Sequence, residues 1–420
     1  MEGNNGRLLI IIIALLLTGD FCIPAVSGII DTANLSQIRW GPYLTNMTTD
    51  SVTVNWRTEE ASKGTVWYED RDNHTPGSFE WNVTEDQDML MHHIRLENLS
   101  PNQTYAYTIS ASSSEYSFRT FPENGSITFV VYGDTREQLP WWNQSTHHAL
   151  VAEQIAEEPG VLFVVHTGDL VNDPADNEEW NRFFTAAGPM FSHVPFYPVA
   201  GNHEQDSGVL KEIFGMSSWY NFRCSDVRMV VLDSNPLPPD LTTDQDRFIS
   251  ENTGNDATWT FVALHHPMYS ADPNHPGGFL DVRKRWEPVF TTWGVSAVFA
   301  AHVHAYEHFE RSGIHYFTVA TGGAPSYSLS PEKPEGYVMG LENTLGYTVV
   351  KVNATTGSAE IDFVEVADVN RTTIRMYPPG TVYERVLLDN PSVTTSRWDV
   401  SGFPILFTSQ FGDTKIKMLN

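Results

Sequence analysis

The chain has 420 residues, 41% of them hydrophobic and 12% aromatic, enough apolar material for more than one packed domain and too much for a disordered chain. Its 52 acidic side chains outnumber 25 basic ones, for a formal charge of −27. That balance argues against nucleic-acid binding, which needs a basic footprint, and suits an exported protein in salty surroundings.

At the start of the chain Arg7 precedes an unbroken apolar run, Leu8 to Leu17, and Ala25-Val26-Ser27 offers small residues for cleavage. Residues 1–27 are predicted as a signal peptide. The run falls short of the roughly 20 residues a spanning helix needs, so membrane attachment is expected only if the segment stays uncleaved. Phe21 makes Cys22 a poor lipid anchor. With Cys22 removed, Cys224 stands alone as a buried, inert thiol, and no disulfide is expected. Asn-X-Ser/Thr sequons crowd the region before Asn143, among them Asn34, Asn73, Asn82 and Asn98, and recur at Asn353 and Asn370. They point to a glycosylated protein, secreted or held at the cell surface.

From residue 37 to 121 short strands alternate with polar turns. "SVTVNWRT" (Ser51 to Thr58) alternates apolar and polar with period two, and "HHIRLENLSPNQTYAYTISA" (His92 to Ala111) holds two strands around a Ser-Pro-Asn turn. An antiparallel β-sandwich follows. With Trp56 upstream, "LSPNQTYAYTI" resembles a fibronectin type III module, in which Tyr105 is the corner tyrosine. "TFPENGS" (Thr120 to Ser126) reads as a linker.

After the linker the rhythm changes. "SITFVVYGDTR", "GVLFVVHTGDL", "VPFYPVAGNHE", "VRMVVLDS", "TWTFVALHHP" and "VSAVFAAHVHAYEH" are apolar strands that end in polar clusters. Helix-length segments separate them, such as "THHALVAEQIAEE" with Ala149, Val151, Ile155 and Ala156 on one side. Continuous apolar strands alternating with helices predict an α/β (α+β layered) domain over residues 126–366, its sheets covered on both faces. Ligands in such folds gather beyond the carboxyl ends of the strands, where the polar clusters fall. Residues 367–420 read as a strand-like extension without an assigned role.

Those strand ends supply Asp134, Asp169, Asn202-His203, His265 and His302-x-His304. Singly, each has an ordinary explanation: an Asp after a strand caps a helix or turn, and a lone His satisfies a core hydrogen bond. Together, oxygen and imidazole donors without cysteine suit zinc, manganese or iron. His302 and His304 share a face if "HVH" is extended. The donors outnumber the needs of one tetrahedral ion and suffice for two ions about 3.5–4 Å apart, with Asp169 the natural shared carboxylate.

The ordered series "YGDTR", "HTGDLVN", "GNHE", "VALHHPMY" and "AHVHAYEH" resembles the binuclear metallophosphoesterases, and among them the purple acid phosphatases, which carry an N-terminal fibronectin-like domain. The resemblance runs from about Gln37 to Val366. It implies that Asp134 and His304 bind a first metal, that Asp169 bridges, and that Asn202, His265 and His302 bind a second. It places His203, and less firmly His275 in "DPNHPGG", against substrate phosphate or leaving group. Asn172 stands where purple phosphatases have a tyrosine ligand, so the protein is expected not to be purple; Asn172 oxygen or water would complete the first metal. Arg136 occupies a position where other metallophosphoesterases have a histidine ligand, and is read as a phosphate clamp. Ala301 replaces a usual glycine. His266 and His308 are read as orienting or packing residues in equal measure. The implied activity is hydrolysis of small phosphate monoesters by in-line attack. A phosphodiesterase or nucleotide hydrolase on the same site, or a catalytically silent cell-surface binding protein, are the alternatives. Oligomeric state has no signature in the sequence.

Overall fold

The computed structural model describes residues 38–110, 112–205, 208–236, 238–252 and 257–389. The expected signal peptide, Cys22, Asn34 and residues 390–420 lie outside the described residues.

Seven strands build the first module: β1 (Ile38–Thr45), β2 (Val52–Ser62), β3 (Thr65–Asp70), β4 (Trp81–Thr84), β5 (Met89–Leu96), β6 (Thr104–Ile109) and β7 (Tyr116–Arg119). They form a three-stranded sheet, β1-β2-β5, and a four-stranded sheet, β4-β3-β6-β7, all antiparallel. The predicted alternation is visible in β5, where His92, Ile94 and Leu96 are buried and His93 and Arg95 are not, but not in β2, where Val52 to Trp56 are all buried. Tyr105 performs the corner role: its hydroxyl oxygen accepts from the backbone N–H of Ser100 at 2.8 Å.

The second module contains β8 (Ile127–Tyr132), α1 (His147–Glu157), β9 (Val161–His166), α2 (Asn177–Phe191), β10 (Phe196–Pro198), α3 (Val209–Phe214), β11 (Tyr220–Cys224), β12 (Val227–Val231), α4 (Pro239–Asn252), β13 (Trp259–Ala263), α5 (Leu280–Trp293) and β14 (Ala297–Ala300). It continues with β15 (Tyr306–Arg311), β16 (Ile314–Val319), β17 (Tyr337–Leu341), β18 (Thr344–Asn353), β19 (Ser358–Val369), β20 (Ile374–Met376) and β21 (Val382–Asp389). Two seven-stranded mixed sheets result. One runs β10-β9-β8-β18-β19-β20 with β21 also on β19; the other runs β11-β12-β13-β14-β16-β15-β17. The sheets meet face to face through aromatic rings, Phe129 of β8 lying 5.4 Å from Phe261 of β13 and Tyr306 of β15 stacked 3.9 Å from Phe363 of β19. In the sequence, runs such as Val164-Val165 are apolar on consecutive residues because both faces of these strands are covered.

Three expectations need correction. Thr120, Phe121 and Pro122 are buried, so only Glu123–Ser126 of the expected linker faces solvent. Phe121 is held there by the Phe163 ring, 5.7 Å away. The expected boundary at 366 falls inside β19, and residues 367–389 belong to the sheet because β20 and β21 both hydrogen-bond to β19. Finally, "HVH" is not extended: it is a turn between β14 and β15, with His302 at φ 67°. Cys224 is buried and free, and its burial pushes the thiol well above its usual range. No helix among the described residues is long and apolar enough to cross a membrane.

Candidate metal centre

The carboxyl ends of β8, β9, β13 and β14 bring the polar clusters together. Asp134 lies two residues after β8 and Asp169 three after β9, both in the left-handed region, with φ 54° and 53°. Their loops are bonded to each other: Asp134 N donates to Gly168 O, and Thr135 N and Arg136 N both donate to Asp169 O. Close approach dictates the neighbouring glycine. A Cβ on Gly201 would stand 2.2 Å from both the backbone nitrogen and Oδ1 of Asp169.

Around this frame the donors divide into two sets. In the first, Asp134, Asp169 and His304 bring ligand atoms within 4.8 Å of one another, all three residues buried. His304 Nε2 lies 3.0 Å from Asp134 Oδ1, while its Nδ1 faces Pro325 O at 2.6 Å, which fixes the ring. In the second set Asn202 Oδ1 lies 2.7 Å from His302 Nδ1 and 3.0 Å from His265 Nε2, and the two imidazole nitrogens are 3.2 Å apart. His265 Nδ1 faces Thr167 O at 2.9 Å, so Nε2 is the atom presented inward. Asp169 joins the sets: its Oδ1 is 3.3 Å from His265 Nε2. The turn that breaks the expected strand is what sends His302 and His304 to different sets.

The donor chemistry fits cations. Asp134 Oδ1 is buried without a well-aligned hydrogen bond, with His304 Nε2 3.0 Å from it, an arrangement costly for a carboxylate unless a positive charge faces it. Burial works to raise the Asp134 pKa, but the imidazoles of His304, His265 and His302 outweigh it and hold the carboxyl well below its usual range. Burial and neighbouring imidazoles press His302 down to about 3. Metal binding takes the carboxylate as the anion and the imidazoles neutral, the cation then supplying the positive charge that Asp134 otherwise draws from protonated imidazoles. His266 also approaches His265 and His302, but its Nδ1 is paired with Ser234 Oγ at 2.9 Å and its pKa is pressed to about 2 by burial. Asn202 is the nearer third donor.

The other expected residues are placed as follows. His203 Nδ1 faces Asn172 O at 2.6 Å, leaving Nε2 3.8 Å from Asp169 Oδ2. Arg136 Nε is 3.5 Å from the same oxygen, and Arg136 Nη1 donates to Asn172 Oδ1 at 3.5 Å. The Asn172 amide is thus directed to Arg136, and the residue is exposed. His275 packs its ring 5.1 Å from that of His302. His308 faces away from both sets, with Nδ1 2.7 Å from Glu384 Oε1 and Nε2 2.9 Å from His315 Nδ1.

Sequence reasoning passed over two residues. Glu204, buried beneath Asp169, accepts from the backbone N–H groups of Asp169, Leu170 and Gly201 at 2.9–3.0 Å and clamps the two loops. Burial and the nearby Asp169 raise it to about 8. Its only signal was its place in "GNHE". Tyr327 stacks on His304 at 4.2 Å, and nothing in "GGAPSYS" announces it.

Comparison with known proteins agrees with this geometry. Residues 127–306 match the calcineurin-like phosphoesterase family and residues 41–120 match the purple acid phosphatase N-terminal domain. These matches and the split donor set define the class: a metallophosphoesterase fold, with residues suited to a binuclear centre. Within that class the chain is purple acid phosphatase-like, N-terminal domain included. It is 26% identical over 294 residues to purple acid phosphatase 22 of Arabidopsis thaliana, covering 62% of this chain and 66% of the relative. It is also 26% identical over 263 residues to purple acid phosphatase 21 of the same plant, covering 56% and 58%. A purple acid phosphatase from yellow lupin (Lupinus luteus) seeds shares the fold, with a TM-score of 0.69, 16% identity, and coverage of 89% of this chain and 77% of that one. The chain spans between half and two thirds of the length of the curated relatives it matches.

Proposed function

We propose that the protein is an exported, metal-dependent phosphatase acting on small phosphate monoesters. The observation that carries this reading is Asp169, a buried carboxylate set between two convergent groups of oxygen and imidazole donors. Asp134, Asp169 and His304 would hold one cation, and Asp169, Asn202, His265 and His302 the other, from zinc, manganese or iron. Such a pair supplies Lewis acidity and a water acidified from about 15.7 toward 7.

The chain's own residues then divide the remaining tasks. His203, its Nδ1 fixed on Asn172 O, presents Nε2 on the open side of Asp169, where a phosphate oxygen can be met. Arg136 sits on the same side, one edge toward Asp169 and the other toward Asn172, and neutralises charge on the phosphate. His275 stands against the second donor set and delivers a proton to the departing alkoxide. The net charge of −27 does not oppose an anionic substrate, because exposed carboxylates are screened beyond about 8 Å at physiological ionic strength. Export is supported by the N-terminal apolar segment and by the exposed sequons Asn73, Asn82 and Asn98 on the sandwich.

The test is a parallel assay of an aryl phosphate and a bis-aryl phosphate after loading with zinc, manganese or iron, with elemental analysis. Hydrolysis of the monoester is expected, and Asp169→Asn is expected to lower it by ~10²-fold or more and to reduce bound metal. Preference for the diester would assign a phosphodiesterase. Full activity in Asp169→Asn would sink the two-metal reading.

A further inference from the structure

His275 stands on the Gly/Pro-rich stretch "ADPNHPGG", a composition that ordinarily marks a mobile loop. Here the loop is tied at every step. Its first residues hang from Glu307, a buried carboxylate of β15 that accepts from Ser270 Oγ at 2.8 Å and Ala271 N at 2.7 Å. Its far end is closed by Gly277 N on Ser270 O and Phe279 N on Pro267 O. Between these ties lies Asp272, whose side chain is fully buried. Asp272 Oδ1 accepts from Asn274 N at 3.2 Å, and Oδ2 lies 2.6 Å from His275 Nδ1. The His275 side chain is 31% exposed and stacks on Phe279 at 4.9 Å and 21°.

A buried carboxylate against one imidazole nitrogen fixes both ring orientation and tautomer. We propose that Asp272 is a positioning residue: it holds the Nδ1 proton of His275 on the protein side, so that Nε2 is the atom offered to the leaving group beside His302. The inference rests on the phosphatase reading for its catalytic consequence, but not for its geometry. As a water oxygen bonds to phosphorus and the ester bond breaks, the oxygen of the leaving group keeps the bonding electron pair and takes the Nε2 proton of the doubly protonated ring; Nδ1 keeps its own, held by Asp272, and the ring is left neutral. Phe279 supplies the second wall, and Glu307 keeps the loop at its height above the sheet.

Two measurements test this on the full-length protein. The first compares Asp272→Asn with wild type, both metal-loaded and with matched metal content, on phenyl phosphate and dinitrophenyl phosphate. The variant is expected to lose ~10²-fold in kcat on the phenyl ester, whose leaving group needs the proton, with KM held and the dinitrophenyl ester little changed. Equal losses on both esters, or no loss on either, would overturn the proposal. The second measurement needs neither turnover nor a substitution at Asp272. Nitrogen-15 spectra of wild-type histidines, with His275 assigned through His275→Gln, are expected to show the proton on Nδ1; a proton on Nε2 alone would overturn the assignment. If the wild type hydrolyses neither ester with any metal, the phosphatase reading fails, and the positioning of His275 stands or falls on the spectrum.

Discussion

Asp134, Asp169 and His302 all adopt left-handed backbone conformations, which cost a residue with a Cβ roughly 1 kcal/mol or more each. They persist because the surrounding loops over-determine them, with Glu204 holding three backbone N–H groups at once. Asn172 lies on the same loop, and its substitution is a direct probe of the first donor set. Loaded with ferric iron, the wild type is expected to show no intense visible band, whereas Asn172→Tyr is expected to gain one. A strong band in the wild type would move attention to Tyr327, whose ring already covers His304. Which residues could be read in advance follows from sequence distance. Asp134, Asp169, Asn202, His265, His302 and His304 each follow or border an apolar run, so the strand announces the candidate donor. Glu204 and Tyr327 act on partners that are remote or ordinary backbone, and Asp272, though three residues from His275, depends on a tie that is remote. Glu204 reaches back 35 residues to Asp169 N, and the tie that lifts Asp272 into place comes from Glu307, 36 residues beyond Ala271.

At the scale of elements, β21 deserves more weight than its place near the end of the described chain suggests. Glu384 accepts from Tyr306 Oη at 2.6 Å and faces His308 Nδ1 at 2.7 Å, both on β15, the strand that leaves the His302–His304 turn. Arg385 holds buried Asp362 of β19 through two hydrogen bonds, at 2.7 and 2.9 Å. Glu384→Ala would leave two buried polar groups without a partner and is expected to cost about 2 kcal/mol or more, read from urea denaturation of the metal-free protein. Sequence reading recognised strand character in this region but not its destination, because pairing with β19 depends on a register that only the assembled sheet defines.

For the whole molecule, one apolar core runs through both modules, and a second, smaller one lies within the second module alone. Trp40 and Tyr43 of the sandwich stack on Phe184 of α2 at 5.4 and 4.6 Å. Tyr107 Oη donates to Ser192 O at 2.7 Å, and Tyr197 Oη donates to Met47 O at 3.0 Å. Calorimetry of the full chain is therefore expected to show a single unfolding transition; two resolved transitions would contradict a continuous core. Buried titratable groups set the pH range of that stability. Burial raises Glu307 to about 7 and lowers His148 to about 3. Stability tied to Glu307 is complete below its unfolded value near 4.5 and is lost as pH rises toward 7; that tied to neutral His148 is complete above 6.5 and is lost as pH falls toward 3. Relative to wild type, Glu307→Gln is expected to gain ~3 kcal/mol between pH 4.5 and 7, measured by urea midpoints.

The turn that carries His302 and His304 has a thermodynamic consequence. The backbone N–H of His302, a member of the second donor set, donates to Asp134 Oδ2, a member of the first, at 3.0 Å. One peptide unit is therefore common to both halves of the centre, and a cation that draws Asp134 into place also seats His302. Occupancy of one half lowers the ordering cost of the other. A metal titration followed by calorimetry should then be steeper than two independent sites allow, and substituting Asp134 should weaken binding at the donor set to which it does not belong.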